Sequence, residues 1–276
     1  MESCHYRIAG KEGKLTVRVS RIDNDRYCRA TGDDNPYHDF NRFRETRVGR
    51  KLGSEILTGM MLTNIGNLFS DFAVLARTNN HLALSNMTVR MGSPAVPDQS
   101  LTYSALKSKQ EDGAYKLDIG LRTTEGQKKK FRDASLTYSG RLKETLRDLS
   151  EFRVIISKKV KKSEVEEGMQ RVGIWNLREA PFTFWPAYTV SHALLQFKEI
   201  DPQLKGKNAF YTALNFEFYE PVQDMAPAMS LMLRRRDSTS ESIKTHIKMD
   251  EDNNLECLVS MFGNVICSVK TKLQIE

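Results

Sequence analysis

The stretch Gly59-Met60-Met61-Leu62-Thr63-Asn64-Ile65-Gly66-Asn67-Leu68-Phe69-Ser70-Asp71-Phe72-Ala73-Val74-Leu75-Ala76 decides how the rest of the chain is read. Met61, Ile65, Leu68, Phe72 and Leu75 recur at helical spacing on one face, and Asn64, Asn67 and Asp71 line up on another, which predicts one long helix. Beyond it the pattern changes to strands. Ala83–Met91, Leu101–Lys107, Tyr115–Thr123 and Phe131–Gly140 are parted by the turn-rich segments Ser93-Pro94, Glu111-Asp112-Gly113 and Thr124-Glu125-Gly126. Upstream, Leu15–Val19 reads as a short strand. Ser20 then caps a brief helix from about Arg21 to Ala30, whose apolar residues Ile22 and Tyr27 are sparse enough to predict a peripheral position. A long apolar helix followed by antiparallel strands is an α+β arrangement, with the helix packed on one face of the sheet.

The second half repeats this order. The apolar stretch Phe182–Phe197 holds Val190, Leu194 and Phe197 at i, i+4 and i+7. Strands are then expected at Tyr211–Tyr219, Met229–Arg235, Ser242–Met249, Leu255–Phe262 and Val265–Leu273. Pro94 with Val96 matches Pro221 with Val222, each ahead of a second proline, Pro97 or Pro227, and the same offset sets Gly59 against Pro186. Two ordinary strand patterns can align by chance at such weak identity, so the shared order of elements carries the inference of a tandem duplication. A polar linker around Lys143–Glu151 separates two expected domains, residues 1–145 and 146–276.

Composition bounds the function. The chain has 276 residues, 39% of them hydrophobic, which is enough for a real core and excludes a largely disordered protein. With 28% charged residues and a mean hydropathy of -0.50, it does not read as an integral membrane protein. The most charge-poor stretch, Val48–Arg77, is interrupted by Arg50, Lys51, Glu55 and Asp71. The N-terminus Met1–Lys14 lacks the apolar core of a signal peptide, so a soluble cytoplasmic protein is expected. Cys4, Cys28, Cys257 and Cys267 lie far apart with no C-x-x-C pair, which predicts reduced, mostly buried thiols and no metal site.

Lys and Arg number 42 against 35 Asp and Glu, a net charge of +7. The excess sits in short runs: Arg42, Arg44, Arg47, Arg50 and Lys51; Lys128–Lys130; Lys158, Lys159, Lys161 and Lys162; and Arg234–Arg236. Such runs are solvated loops and strand faces, or else they attract a polyanion: nucleic acid, a nucleotide cofactor or an acidic carrier protein. No recognition-helix signature or aromatic RNA-binding motif accompanies them, so no nucleic-acid partner is expected.

Chemistry is concentrated in Ala30-Thr31-Gly32-Asp33-Asp34-Asn35-Pro36-Tyr37-His38-Asp39. Asx side chains bond nearby backbone and Pro fixes φ, so this is a turn. Held by the rigid Asn35-Pro36 pair, the Asp33 carboxylate and His38 imidazole can converge on one small volume, share a water and move protons. On spacing alone, a capped turn with an incidental histidine accounts for the segment better. From Thr31 to His38, however, it resembles the hydratase motif of the MaoC-like branch of the hotdog superfamily, S/T-G-D-x-N-P-x-H-x-D. Leu57-Thr58-Gly59-Met60-Met61-Leu62, about twenty residues on, resembles that family's A-H-G-M-L segment, with Thr58 where a histidine often stands. The resemblance covers roughly residues 14–140; the second half resembles a hotdog in its order of elements.

The resemblance implies a tandem (double) hotdog, each unit a long helix wrapped by an antiparallel sheet. It implies a lyase that interconverts trans-2-enoyl and (R)-3-hydroxyacyl thioesters of coenzyme A or acyl carrier protein. No cofactor is implied beyond the coenzyme A or phosphopantetheine that the substrate itself carries. Asp33 and His38 would be the catalytic pair, Asn35 would orient that pair or its water, and the Gly59 amide would stabilise the thioester oxygen. The sequence departs from the family after the motif, where Arg42, Arg44, Arg47, Arg50 and Lys51 replace a small, apolar segment. They either contact substrate phosphates or form a solvated loop, the two readings being evenly balanced.

The second half lacks the motif. In carrier-protein dehydratases of the hotdog superfamily an acidic catalytic residue occupies the corresponding helix, so resemblance offers His192 as a second active group; with no histidine motif ahead of it, it reads rather as a structural helix histidine. Met169, Trp175, Phe182, Phe184 and Trp185 line an acyl pocket or form plain core. Two fused halves make a pseudo-dimer within the chain, which either suffices or pairs again as a homodimer. A hotdog acyl-thioesterase and a non-catalytic acyl-thioester-binding module are the alternatives to the lyase.

Overall fold

The computed structural model describes residues 7–9, 14–31, 33–75, 82–123, 130–143, 148–158, 190, 193–194, 196–219, 243–261 and 264–275. Ser20 starts the first helix, α1 (Arg21–Thr31), through a reciprocal cap. The Asp23 N–H donates to Ser20 Oγ at 3.1 Å, while the Ser20 N–H and hydroxyl both donate to the Asp23 carboxylate. Two short 3-10 turns, Pro36–His38 and Phe43–Glu45, lead into α2 (Arg47–Leu52). Thr46 caps α2 by accepting from the Gly49 N–H at 2.9 Å. Gly49 is glycine by necessity, because a Cβ there would lie 2.2 Å from the Phe43 carbonyl oxygen.

The long helix α3 (Gly59–Leu75) begins at the residue where its sequence pattern starts. Its Met61 and Ile65 are fully buried, but so are Asn64 and Asn67 on the supposedly polar face. The helix is enclosed rather than laid on a surface, so its polar groups are bonded internally. Asn64 Nδ2 donates to the Tyr27 hydroxyl at 2.8 Å, and the Tyr103 hydroxyl donates to the Leu62 carbonyl at 2.7 Å. Gly66 lets the helix approach Tyr103 and Ile119, which a Cβ would meet at 3.1 and 3.3 Å. The expectation of a peripheral α1 is corrected for the same reason. Ile22 is exposed, yet Asp23, Asn24, Tyr27 and Cys28 are buried, because α1 turns its polar side inward against α3.

The strands are β1 (Arg7–Ala9), β2 (Lys14–Arg18), β3 (Ala83–Met91), β4 (Ser100–Glu111), β5 (Ala114–Thr123), β6 (Lys130–Ser139), β7 (Arg153–Lys158), β8 (Ala209–Tyr211), β9 (Ala213–Phe218), β10 (Ile243–Met249), β11 (Asn254–Met261) and β12 (Asn264–Ile275). They form one antiparallel sheet in the order β1-β2-β4-β5-β6-β3-β9-β12-β11-β10-β7, with β8 pairing β12. Outward from the β3–β9 junction, β3-β6-β5-β4-β2 on one side answers β9-β12-β11-β10-β7 on the other. The junction is built of apolar cross-strand pairs, Met87 opposite Phe216 and Val89 opposite Leu214, all four buried.

Most expected strands are present, with extensions. β4 runs on through the polar Lys107–Glu111 because Asp112 and Gly113, both at positive φ, close a two-residue hairpin to β5. Two strands were not expected: the three-residue β1, and β7, whose short apolar run Val154–Ile156 shows no alternation. The expected strand at Met229–Arg235, the helix start at Phe182–Pro186 and the matching prolines Pro221 and Pro227 lie outside the described residues. Helical residues are described at 190, 193–194 and 196–200. Cys28, Cys257 and Cys267 are buried free thiols, and burial raises the pKa of each.

On β10, His246 is buried with Nε2 3.0 Å from Ser260 Oγ, and Nδ1 has no hydrogen-bond partner among the described residues. Burial, and then the nearby Lys244, lower its pKa below the ordinary value. A histidine of this kind binds fewer protons folded than unfolded, so the stability it confers is present above about pH 6.5 and is lost as pH falls below that. The thermal midpoint of the native protein is expected to drop between pH 6.5 and 5 more steeply than that of His246→Gln; parallel pH–midpoint curves would contradict this.

Candidate active site

The Asp33–Asp39 segment folds back on itself through its own side chains. Asn35 caps the Pro36–His38 turn, its Oδ1 accepting from the Tyr37 N–H at 3.2 Å, while Asp33 Oδ1 accepts the Asn35 N–H at 3.2 Å. This turn points Asp33 and His38 at each other. Asp33 Oδ2 and His38 Nε2 lie 3.8 Å apart, with the two side chains only 14% and 11% exposed. That gap is too long for a hydrogen bond and suits one bridging water.

Each member of the pair is held from behind. His38 Nδ1 is 3.0 Å from the Ile56 carbonyl oxygen. A carbonyl can only accept, so Nδ1 carries the proton, and in the neutral imidazole the lone pair faces Asp33 from Nε2. Thr58 Oγ1 donates to Asp33 Oδ2 at 3.2 Å. Thr58, which stands where the resembled segment often has a histidine, is thus a partner of the carboxylate.

Asn24, in the middle of α1, was not singled out by sequence reasoning. It is fully buried and bridges the two parts of the site: Nδ2 donates to the His38 carbonyl at 3.1 Å, and Oδ1 accepts the Thr58 N–H at 2.9 Å. Two further backbone bonds complete the clamp, Ile56 N–H to the Tyr37 carbonyl and Leu57 N–H to the Ala95 carbonyl. The signal for Asn24 was weak, a lone polar residue in a short helix with few apolar positions.

Gly59, at the N-terminal end of α3, lines the same cavity as His38, a space of about 270 Å³ also bounded by Tyr37, Leu62, Pro94 and Phe210. A second cavity of about 60 Å³ holds Asp33 on one wall and Met60, Val190, Leu194, Leu255 and Cys257 on others. Asn35, His38 and Tyr211 border both. The second half therefore reaches the motif directly. Asn35 Nδ2 donates to the Ala209 carbonyl at 3.3 Å, and the Phe210 ring meets Tyr37 edge-on at 5.5 Å. Below the pair, Tyr27 is held as a neutral phenol: burial, then Tyr211 and Asp33, push its pKa up.

The motif as written closes on an aspartate two residues after its histidine; here that position is Phe40, and Asp39 stands one residue early. Asp39 accepts the Asn41 N–H at 2.7 Å and serves the next turn, while Phe40 is stacked under the Arg21 guanidinium at 3.8 Å. Arg21 in turn donates to the buried carboxylate of Glu55 at 2.6 Å. The basic residues that follow divide into two groups. Arg42 is paired with Asp34 and Glu45, and Arg50 donates to the carbonyls of Arg44 and Glu45. Arg44 lies against the Phe43 ring, and Arg47 and Lys51 are exposed on α2, whose Val48 borders the larger cavity. His192, Met169, Trp175, Phe182, Phe184 and Trp185 lie outside the described residues.

No group of His, Cys, Asp and Glu that could hold a metal forms among the described residues, and no helix among them is long and apolar enough to cross a membrane. No family model and no curated protein matches the chain. Solved structures do. A MaoC-like dehydratase aligns with a TM-score of 0.56 at 9% identity, covering 98% of each chain. The full-length peroxisomal multifunctional enzyme type 2 of Drosophila melanogaster aligns at 0.55 and 8% identity, covering 95% of this chain and 48% of that one. An acyl-ACP thioesterase from Bacteroides thetaiotaomicron aligns at 0.50 and 10% identity, over 79% of this chain and 90% of that one.

Removing the Asn24 side chain should leave the Thr58 N–H and the His38 carbonyl without partners. Asn24→Ala is expected to lower unfolding stability by about 2–4 kcal/mol in urea titration, and a loss within error of zero would show the bridge to be dispensable. With the sheet order and these alignments together, the chain is a hotdog-fold protein whose solved neighbours include MaoC-like dehydratases and acyl-ACP thioesterases.

Proposed function

We propose that the protein is a hydratase/dehydratase that interconverts trans-2-enoyl and (R)-3-hydroxyacyl thioesters, built as a tandem double hotdog of residues 1–145 and 146–276. The observation that carries this reading is the Asp33–His38 gap: two opposed proton-handling groups 3.8 Å apart, each fixed by a second bond, beside a helix N-terminus. The matching strand order on the two sides of the β3–β9 junction supports the tandem architecture.

In hydration, a water between Asp33 Oδ2 and His38 Nε2 attacks the β-carbon. Its departing proton goes to Nε2, which the Ile56 bond leaves as an acceptor, while Asp33 Oδ2 accepts a hydrogen bond from the water's other hydrogen. The C–O bond forms as the carbon–carbon π bond shifts toward the thioester oxygen. The positive end of α3, through the Gly59 amide, stabilises the enolate charge there. Return of the proton from the pair to the α-carbon completes addition, and the same steps reversed expel the β-hydroxyl as water. Asn35 acts by holding the turn, since both ends of its amide are bonded to backbone. The exposed Arg44, Arg47 and Lys51 would meet the phosphates of coenzyme A or a phosphopantetheine arm, with Arg42 and Arg50 holding the loop through their own bonds.

Crotonyl-CoA and longer trans-2-enoyl thioesters, linked to coenzyme A or to carrier protein, should lose their enoyl absorbance with this protein. Asp33→Asn and His38→Ala should each lower kcat by roughly 10²–10⁴-fold. Failure of the native protein to hydrate any of them sinks the proposal, and release of free thiol instead would identify a thioesterase. The double variant Arg47→Ala/Lys51→Ala should raise KM for CoA-linked substrate several-fold with kcat unchanged. That penalty should shrink as salt rises, as expected for exposed charges; an unchanged KM would assign these residues to a solvated face.

A further inference from the structure

The three residues of β8 each meet the motif turn or its cavities. Ala209 accepts the Asn35 side-chain amide, Phe210 packs edge-on against Tyr37, and Tyr211 borders both cavities. Tyr211 is partly buried, and its backbone is pinned opposite Leu273 in the β8–β12 pairing, so the ring is carried on a fixed strand rather than a loop. Of the three residues common to both cavities, Asn35 is held by two hydrogen bonds and His38 is fixed through Nδ1. Tyr211 is the member of the partition that belongs to the second half.

The two spaces lie on either side of Tyr211. The larger contains Gly59 and lies beside Val48 of the basic α2; the smaller runs from Asp33 and Asp34 into the second half, where Val190, Leu194, Leu214, Leu255 and Val269 line it together with Lys198 and Thr271. A thioester whose oxygen is at Gly59 and whose β-carbon is between Asp33 and His38 must send its acyl chain past the partition toward those aliphatic residues. We propose that Tyr211 is a specificity-determining residue: its ring, supplied by the second half, gates how much of an acyl chain passes from the Gly59 cavity into the smaller one and onto its aliphatic residues. This rests on the thioester reading of the site. The native protein accordingly favours short acyl groups, and the depth beyond the gate is set by Tyr211 together with Leu194 and Val190.

The test is binding of saturated acyl-CoAs from butyryl to dodecanoyl, measured calorimetrically, alongside hydration of the matching enoyl-CoAs. Tyr211→Ala should raise the decanoyl-to-butyryl affinity ratio on the order of tenfold, the scale of one or more methylenes newly admitted to an apolar pocket. Tyr211→Trp should lower that ratio while butyryl-CoA still binds, which keeps the test alive if the alanine variant does not fold. Tyr211→Phe, which keeps the ring, should leave the ratio at its native value. An unchanged ratio in both the alanine and tryptophan variants overturns the gate. A shift in Tyr211→Phe as large as in Tyr211→Ala also overturns it, because the hydroxyl and not the ring would then decide. Chain-length shifts in binding without any hydration by the native protein would sink the hydratase reading and leave the gate standing.

Discussion

The pairing of β3 with β9 is the constraint on which the rest depends. Five residue pairs from Asn86–Glu217 to Arg90–Ala213 join the strand that follows α3 to a strand more than a hundred residues later in the chain. Buried Met87, Val89, Leu214 and Phe216 fix the register, since a slip of β9 by one residue would turn Leu214 and Phe216 away from the face they share with Met87 and Val89. Once β9 is set there, β8, immediately before it, has to lie over the Asn35–His38 turn. The contacts of Ala209, Phe210 and Tyr211 follow from sheet geometry, and so does the placement of the two cavities between the halves.

The turn itself needs no long-range help to form its shape, but it needs help to be anchored. Asn35, Pro36 and the Asp33 carboxylate set the local fold with bonds two or three residues long. Its position against α3 comes from Asn24, whose two bonds span 14 and 34 residues. An amide side chain is suited to that place because it donates at one end and accepts at the other, which matches one carbonyl and one N–H. No single hydrophobic residue could satisfy both, and a carboxylate would lack the donor.

This difference in range explains what could be read in the sequence. The long helix, its starting glycine and the first-half strands were legible because their signals are periodic and local. The Asp33–His38 convergence was legible for the same reason, with resemblance turning an ambiguous turn into a candidate site. What the sequence hid was relational. Asn64 and Asn67 lined up as a separate polar face of the helix, and nothing local reveals that both are buried or that Asn64 meets Tyr27 of α1. The basic run after the motif looked uniform, yet Arg42 and Arg50 are occupied by neighbouring carboxylates and carbonyls, while Arg47 and Lys51 are exposed on α2. Tyr211 carried no signal at all, being one aromatic in an ordinary strand.

The duplication reading gives that last residue its meaning. A single hotdog unit with this turn would leave Asp33 and His38 open on the side where β8 and the aliphatic residues at 190 and 194 now stand. Solvent there would raise the local dielectric, weaken the influence of the α3 terminus on a developing oxyanion and offer competing water. In the proposed reading, a second unit that lacks the motif closes the site, and with no proton to handle its side chains can be chosen for shape alone. The proposed division of labour, chemistry in one half and chain recognition in the other, is one that the β3–β9 junction makes geometrically available.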